Sequence, residues 1–378
     1  MNTLQIGIGW HAHGAGSGVD RVYNALSQTL PTEHVDVQGL VYGNGTAASL
    51  PDNIHQAASL SSSLPRRLWA GRRTAQQILA SAPIDLVAAH FSLYALPVLD
   101  LLEDRPLVVH FHGPWALESA AEGESKLQVR LKEWIEQTVY RRGHRFIVLS
   151  QAFKDVLTTH YGVDPAAVRI VPGGVDTSRF QPSHSRREAR QVLGWDPDRP
   201  TVLGVRRLVR RVGVEELIEA AHAVAAAIPN VQILIAGTGP LQDTLARRIE
   251  EMDLDDHVSL LGFVAEEDLP LAYRAADVSV VPTQALEGFG LVAVESLAAG
   301  TPPLVTPVGG LPEIVTPLSS SLVMDGTTPA AIATALIEAL EGARPLPSPE
   351  ACRDYTTTHY DWPVVARQIR DVYEEVLA

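Results

Sequence analysis

Alternation constrains this chain more than any other feature. Short runs of β-branched and aliphatic residues recur along nearly all of its 378 residues, each followed by a longer segment with apolar positions at helical spacing. Runs apolar on both faces suit strands covered by helices on either side, so the pattern predicts βα units and parallel sheets, an α/β fold. The first set of strands is expected at Leu4–Gly9, Val35–Val41, Asp85–His90, Leu107–Phe111, Arg145–Leu149 and Val168–Val171. The second is expected at Thr201–Val205, Val231–Ala236, Val258–Leu260, Val278–Val281 and Pro303–Thr306. A single core stops growing near ~250–300 residues, so two such sets predict two Rossmann-like domains. Pro172-Gly173-Gly174 breaks the sixth run, which puts the domains at 1–178 and 179–360, with a last helix in 361–378 packing back on the first.

Composition excludes several classes. The chain is 46% hydrophobic and 20% charged, and its longest apolar stretch, Ile84 to Leu102, is broken by Asp85, His90, Pro97 and Asp100. A membrane span of ~18–20 apolar residues is therefore not expected. Residues 1–9 read as a strand and not as a leader. Cys352 is the only cysteine, so no internal disulfide forms and a reducing cytoplasm is the expected location. The net charge of −14 argues against a nucleic-acid partner. The acidity is uneven: residues 1–180 carry 15 basic and 16 acidic side chains, the remainder 15 and 28. With 27 arginines against three lysines, arginine is the cation this chain supplies.

Four segments carry chemistry. In Glu287-Gly288-Phe289-Gly290-Leu291, followed by Glu295, two glycines open a helix after a strand, where backbone amides suit a phosphate or diphosphate and two carboxylates can each accept from sugar hydroxyls. A capped helix with one solvated glutamate would need the same residues. Arg206, Arg207, Arg210 and Arg211 follow the first strand of the second domain, where α/β sheets put their ligands, and guanidiniums there can neutralise a phosphate; solvated arginines would also read this way. Trp10 to Val19 is a glycine-rich loop with Gly14, Gly16 and Gly18, but its spacing is not that of a dinucleotide fingerprint. Of His110 and His112, one is expected to face a covering helix and the other, His112, to reach the loop. No partner at metal-ligand spacing appears for them, and no metal site is expected. Asp196-Pro197-Asp198 and Asp253-Leu254-Asp255 sit in turns, where aspartate is ordinary.

Taken together, these residues resemble the GT-B fold, retaining glycosyltransferase family 4, over nearly the whole chain. The run from Pro282-Thr283 through EGFGLVAVESLAAGTP to Gly309-Gly310-Leu311-Pro312-Glu313 carries the resemblance, with VPGGVD, IAGTGP, LLGFV and YRAADVSVVPT beside it. The resemblance implies two domains facing a cleft that closes over a nucleotide diphosphate sugar, a UDP- or GDP-sugar, with no further cofactor. It implies that Glu287 binds donor-sugar hydroxyls, Glu295 the ribose, and the amides around Gly288, Phe289, Gly290 and Leu291 the diphosphate. Arg207 matches the phosphate-binding arginine and His112 the histidine near the donor sugar. Gly16, Gly18 and Gly237 fall in donor-side loops, and Gly262 and Phe263 near the base. The chain departs from the family at Val212, where a lysine is usual; Arg211 is the expected substitute, with Arg210 second to it.

The resulting expectation is a retaining transferase that needs no metal and acts on an unidentified acceptor. A catalytically impaired sugar-nucleotide binding subunit is the alternative, and an NAD-linked dehydrogenase is disfavoured by the glycine spacing. Arg66, Arg67, Arg72 and Arg73, with Trp69, precede an amphipathic run that could lie on the inner face of an anionic membrane; a solvated helix face is the competing reading.

Overall fold

The computed structural model describes residues 1–10, 18–43, 50–181 and 184–378. It contains two compact units, Met1–Gly173 with Trp362–Ala378, and Gly174–Asp361. In the first, strands β1 (Asn2–Ile6), β2 (Asp36–Tyr42), β3 (Ile54–Ala58), β4 (Leu86–Ala89), β5 (Leu107–Phe111), β6 (Arg145–Val148) and β7 (Val168–Ile170) form one sheet in the order β3-β2-β1-β4-β5-β6-β7. In the second, β8 (Thr201–Val205), β9 (Gln232–Ala236), β10 (Val258–Gly262), β11 (Val278–Val281) and β12 (Pro303–Val305) run in the order β10-β9-β8-β11-β12. Every pairing is parallel.

Each sheet is doubly wound because its strands are buried on both faces. Leu86, Val87, Ala88 and Ala89 of β4 are 0–1% exposed, as are Leu203 and Val202 of β8. Burying one such aliphatic side chain stabilises the fold by roughly 1.5–3 kcal/mol, and only helices on both faces achieve it. In the first unit those helices are α1 (Gly18–Thr29), α2 (Leu64–Ser81), α3 (Ser92–Ala95), α4 (Trp115–Ala121), α5 (Lys126–Tyr140) and α6 (Gln151–Thr159). In the second they are α7 (Arg186–Leu193), α8 (Val214–Ala227), α9 (Gln242–Glu251), α10 (Leu269–Ala275), α11 (Leu291–Ala298), α12 (Leu311–Val315), α13 (Pro329–Leu340) and α14 (Pro349–Tyr360). The last helix, α15 (Trp362–Leu377), lies in the first unit against α1, and its Glu375 pairs with Arg145 and Arg169 at the start of β6 and β7.

All eleven expected strands are present, and β3 is an addition. Its sequence, IHQAA, holds one fully buried residue, Ile54, and no apolar run, because an edge strand is covered on one side only. No helix of the described residues is long and apolar enough to cross a membrane.

Candidate functional site

In a doubly wound sheet, ligands meet the carboxyl ends of the strands where the winding reverses. In the Gly174–Asp361 unit that point lies between β8 and β11. The loops there touch through their backbones: Gln284 N donates to Arg211 O at 2.8 Å, and Gly310 N to Glu287 O at 2.9 Å. Gly213 and Gly309 permit this contact. Both have positive φ, 77° and 57°, and a Cβ on either would overlap the carbonyl of Pro282 or Glu287.

Within this frame Arg206, the residue after β8, turns inward. Its Nη2 donates to Glu287 Oε2 at 2.7 Å and to Thr283 Oγ1 at 2.9 Å, while Thr283 Oγ1 donates to Glu287 Oε2 at 3.2 Å. The two charged side chains are 9% and 14% exposed, so the pair is largely buried, and Arg206 Nε has no hydrogen-bond partner among the described residues. Arg211 also turns inward and donates from Nη1 to Leu286 O at 3.1 Å. Arg207 and Arg210 are exposed, and Val212 is buried. The four arginines therefore do not converge as a set: two brace the Glu287 loop and two face solvent.

Gly290, whose φ of 88° makes the turn, directly precedes helix α11, and no side chain caps the helix's first amides. Phe289 is core, packed edge-on against Tyr360 at 5.7 Å, so only its backbone faces the loop. Glu295 is 5% exposed inside α11 and accepts from Tyr273 Oη at 3.2 Å. Gly288 is buried beside Glu287, and Leu291 is half-buried at the helix start. Gly237 and Gly262 end β9 and β10 with positive φ, and Phe263 beyond is 62% exposed.

In the first unit the winding reverses between β1 and β4. Here the central polar groups are imidazoles, with carboxylates at their margin. His90 follows β4, His110 lies in β5 and His112 just beyond it. His110 and His112 lie on one face, as residues two apart on a strand do, and both rings stack with His90 at an interplanar angle of 18°. His110 does meet a covering helix, through Tyr373 of α15 at 2.7 Å, while His112 lines a cavity of about 110 Å³ with Phe91, Trp115, Glu118 and Glu136. Burial pushes all three histidines down, His112 to about 4, so the stack is uncharged near neutral pH. Their nitrogens lie within 4.8 Å of one another, so His90 supplies the third imidazole that the sequence spacing did not show. Within the near-parallel stack, His90 Nδ1 and His112 Nε2 share a hydrogen bond of 3.1 Å.

Glu136 is a residue that sequence reasoning missed. From α5 it accepts from the amides of Trp115 at 2.8 Å and Ala116 at 3.2 Å, capping α4, and from Tyr161 Oη at 2.8 Å. It thereby anchors the loop just after His112. Burial raises its pKa to about 7. A buried glutamate on an amphipathic helix has no distinctive spacing, so no sequence signal marks it. His90 was missed as well, because it is remote in sequence from the HFH pair.

Gly18 is exposed at the first position of α1, and Gly16 lies outside the described residues. Of the four arginines near α2, Arg67 donates to Tyr94 Oη at 2.7 Å, and Arg72 to Pro97 O at 2.8 Å and to Asp100. Both are committed within the protein. Arg66 and Arg73 are exposed, with Arg73 over the 63% exposed Trp69 at 5.6 Å.

Two doubly wound sheets, each carrying polar groups at its switch point, define a GT-B architecture. The model of the "Glycosyl transferases group 1" family matches residues 185–359, and that of "Glycosyltransferase Family 4" matches residues 16–179. Residues 185–359 thus belong to the group 1 glycosyltransferases and residues 16–179 to glycosyltransferase family 4. The chain is 33% identical over 253 residues to D-inositol 3-phosphate glycosyltransferase of Corynebacterium kroppenstedtii, covering 64% of this chain and 55% of that protein. It is also 33% identical over 216 residues to the GDP-mannose-dependent alpha-(1-6)-phosphatidylinositol monomannoside mannosyltransferase of Mycobacterium tuberculosis, covering 54% and 55%. The chain thus spans about half the length of the curated relatives it matches. Among solved structures, sucrose-phosphate synthase of Thermosynechococcus elongatus superposes with a TM-score of 0.78 at 23% identity, covering 100% of this chain and 99% of that one. Anabaena HepE in complex with UDP and glucose does so with a TM-score of 0.78 at 20%, covering 99% and 100%.

Proposed function

We propose that the chain transfers a sugar from a nucleotide diphosphate sugar to a hydroxyl acceptor, with retention at the anomeric carbon. The observation that carries this reading is the β8–β11 switch point, where the Arg206–Glu287 pair, Arg211 and the uncapped start of α11 meet. Cations and helix amides suit a diphosphate whose negative charge grows as it leaves. In this reading Arg207, free to reach solvent, and Arg211, in place of the lysine replaced by Val212, hold the diphosphate with the amides of Gly288 to Leu291. Glu287 receives the donor-sugar hydroxyls and Glu295 the ribose, with Gly237, Gly262 and Phe263 around the nucleotide and Gly16, Gly18 and His112 on the sugar side. With no protein nucleophile in this set, the departing diphosphate itself takes the acceptor proton, and arginines supply the charge neutralisation that a metal provides elsewhere. The mannosyltransferase relative's name points to a GDP-sugar donor, the HepE complex to a UDP-sugar, and both relatives' names to inositol-containing acceptors.

The test is a screen of UDP- and GDP-sugars for stabilisation, hydrolysis and transfer, with EDTA present and absent, followed by NMR of the product's anomeric proton. A stabilising donor that is turned over with retention, insensitive to EDTA, supports the reading; inversion or no turnover with any donor overturns it. Buried, apolar Val212 favours one second reading, a sugar-nucleotide binding subunit, which would be stabilised by a donor without turning it over. Arg66, Arg73 and Trp69 are the groups left to meet an anionic membrane. Vesicles of anionic lipid should co-sediment the chain less after Arg66→Ala and Arg73→Ala; unchanged sedimentation removes this contact.

A further inference from the structure

The hydrogen-bond chain through the centre of the first sheet has a direction. It begins at a backbone carbonyl, Asp36 O, which can only accept. Thr3 Oγ1 donates to it at 3.1 Å and so has no proton left to give. Gln5 Nε2 therefore donates to Thr3 Oγ1 at 3.1 Å, which orients the amide and turns Oε1 toward His90 Nε2 at 2.9 Å. Since Oε1 only accepts, His90 carries its proton on Nε2 and leaves Nδ1 bare. His112 Nε2, 3.1 Å away, must then be the donor. A branch runs the other way: Gln5 Nε2 also donates to Tyr373 Oη at 3.2 Å, and of the two acceptors the tyrosine proton can reach, His110 Nε2 at 2.7 Å and Gln5 Oε1 at 3.5 Å, the much shorter contact assigns it to His110. Thr3, Gln5, His90, His110 and Tyr373 are all 0–4% exposed, so water does not compete for these bonds.

We infer that this wire, polarised by the Asp36 carbonyl and passed on by Thr3, Gln5 and His90, holds His112 as the Nε2–H tautomer with Nδ1 a bare acceptor, and holds His110 as the opposite, Nδ1–H tautomer. Gln5 and His90 are positioning residues: they act on the proton of His112 and need not touch a ligand. A bare Nδ1 at the cavity accepts from a sugar hydroxyl and rejects a group that only accepts. This consequence for substrate rests on the transferase reading, whereas the tautomers do not.

Histidine-selective nitrogen-15 NMR of the full chain near neutral pH tests the wire, with His112→Gln and His110→Gln used only to assign the two rings. The native protein should show His112 protonated at Nε2 and His110 at Nδ1, a result that needs no variant of the wire. Gln5→Glu replaces the amide with a group that only accepts and is anionic. It should protonate His90 on both nitrogens, so that His90 donates to His112 and drives it to the Nδ1–H form. Donor turnover should then fall roughly 10- to 100-fold, with donor KM within about twofold. Native His112 protonated at Nδ1, or a His112 pattern unmoved by Gln5→Glu, overturns the wire. Inverted tautomers with unchanged turnover uphold the wire and instead remove His112 from the transferase reading.

Discussion

The two sheets present opposite electrostatics at corresponding places. At the β8–β11 switch point the polar groups are formal charges, a buried Arg206–Glu287 pair set among other arginines. At the β1–β4 switch point the innermost are neutral imidazoles, an amide and a phenol, linked by hydrogen bonds, with Glu118 and Glu136 at the cavity's margin. A buried charge is tolerable only when paired, whereas a buried imidazole escapes the cost by staying neutral. The difference separates what each edge can hold. The charged edge suits an anionic leaving group, and the neutral edge suits hydroxyls whose donor and acceptor directions must be matched.

Breaking the charged edge should have the largest effect. Glu287→Gln keeps the shape but removes the anion that faces Arg206. It is expected to lower donor turnover by about 100-fold or more, measured by single-turnover kinetics; an unimpaired variant would take Glu287 out of the site. Arg206→Ala leaves Glu287 buried without its partner and should destabilise the Gly174–Asp361 unit by about 3 kcal/mol. Hydrogen exchange confined to that unit's loops would register it, and unchanged protection would show the pair to be dispensable.

The neutral edge should respond to pH instead. His112 is held at about 4, below its ordinary 6.5, so its contribution is present above about pH 6.5 and is lost as pH falls toward 4. His90 and His110 act in the same direction. Glu136 has the opposite sign: raised from 4.5 to about 7, its contribution is full below about pH 4.5 and declines as pH rises through 7. Hydrogen exchange across pH 4–8 should therefore show the first sheet loosening on the acid side, with Glu136→Gln removing the weaker loss on the alkaline side. Glu136→Gln itself is the smallest perturbation, about 1 kcal/mol, because the amide oxygen can still cap α4. A first unit as stable at pH 4.5 as at pH 7 would contradict the buried neutral stack.

Much of the fold was legible because the signal is local. A parallel strand buried on both faces is a run of apolar residues, and eleven such runs became strands. The edge strand β3 escaped because its burial is one-sided. The site was legible as a set of residue types at strand ends, but its pairings were not. Spacing alone offered Arg206, Arg207, Arg210 and Arg211 as equals; the backbone contact between the β8 and β11 loops is what turns Arg206 and Arg211 inward and leaves the other two in solvent. Likewise, HFH showed two histidines but not His90, which parallel pairing through β4 brings beside them.

The sequence by itself determined the parallel α/β class, the strands, and where glycines and charges gather, since these follow from periodicity and side-chain chemistry within a few residues. Only the tertiary structure decided which carboxylate is paired, which arginines are exposed, and which way protons point in the Thr3–Gln5–His90–His112 chain. Those depend on contacts between segments up to 85 positions apart, from Gln5 to His90, and on burial that removes water as a competing partner.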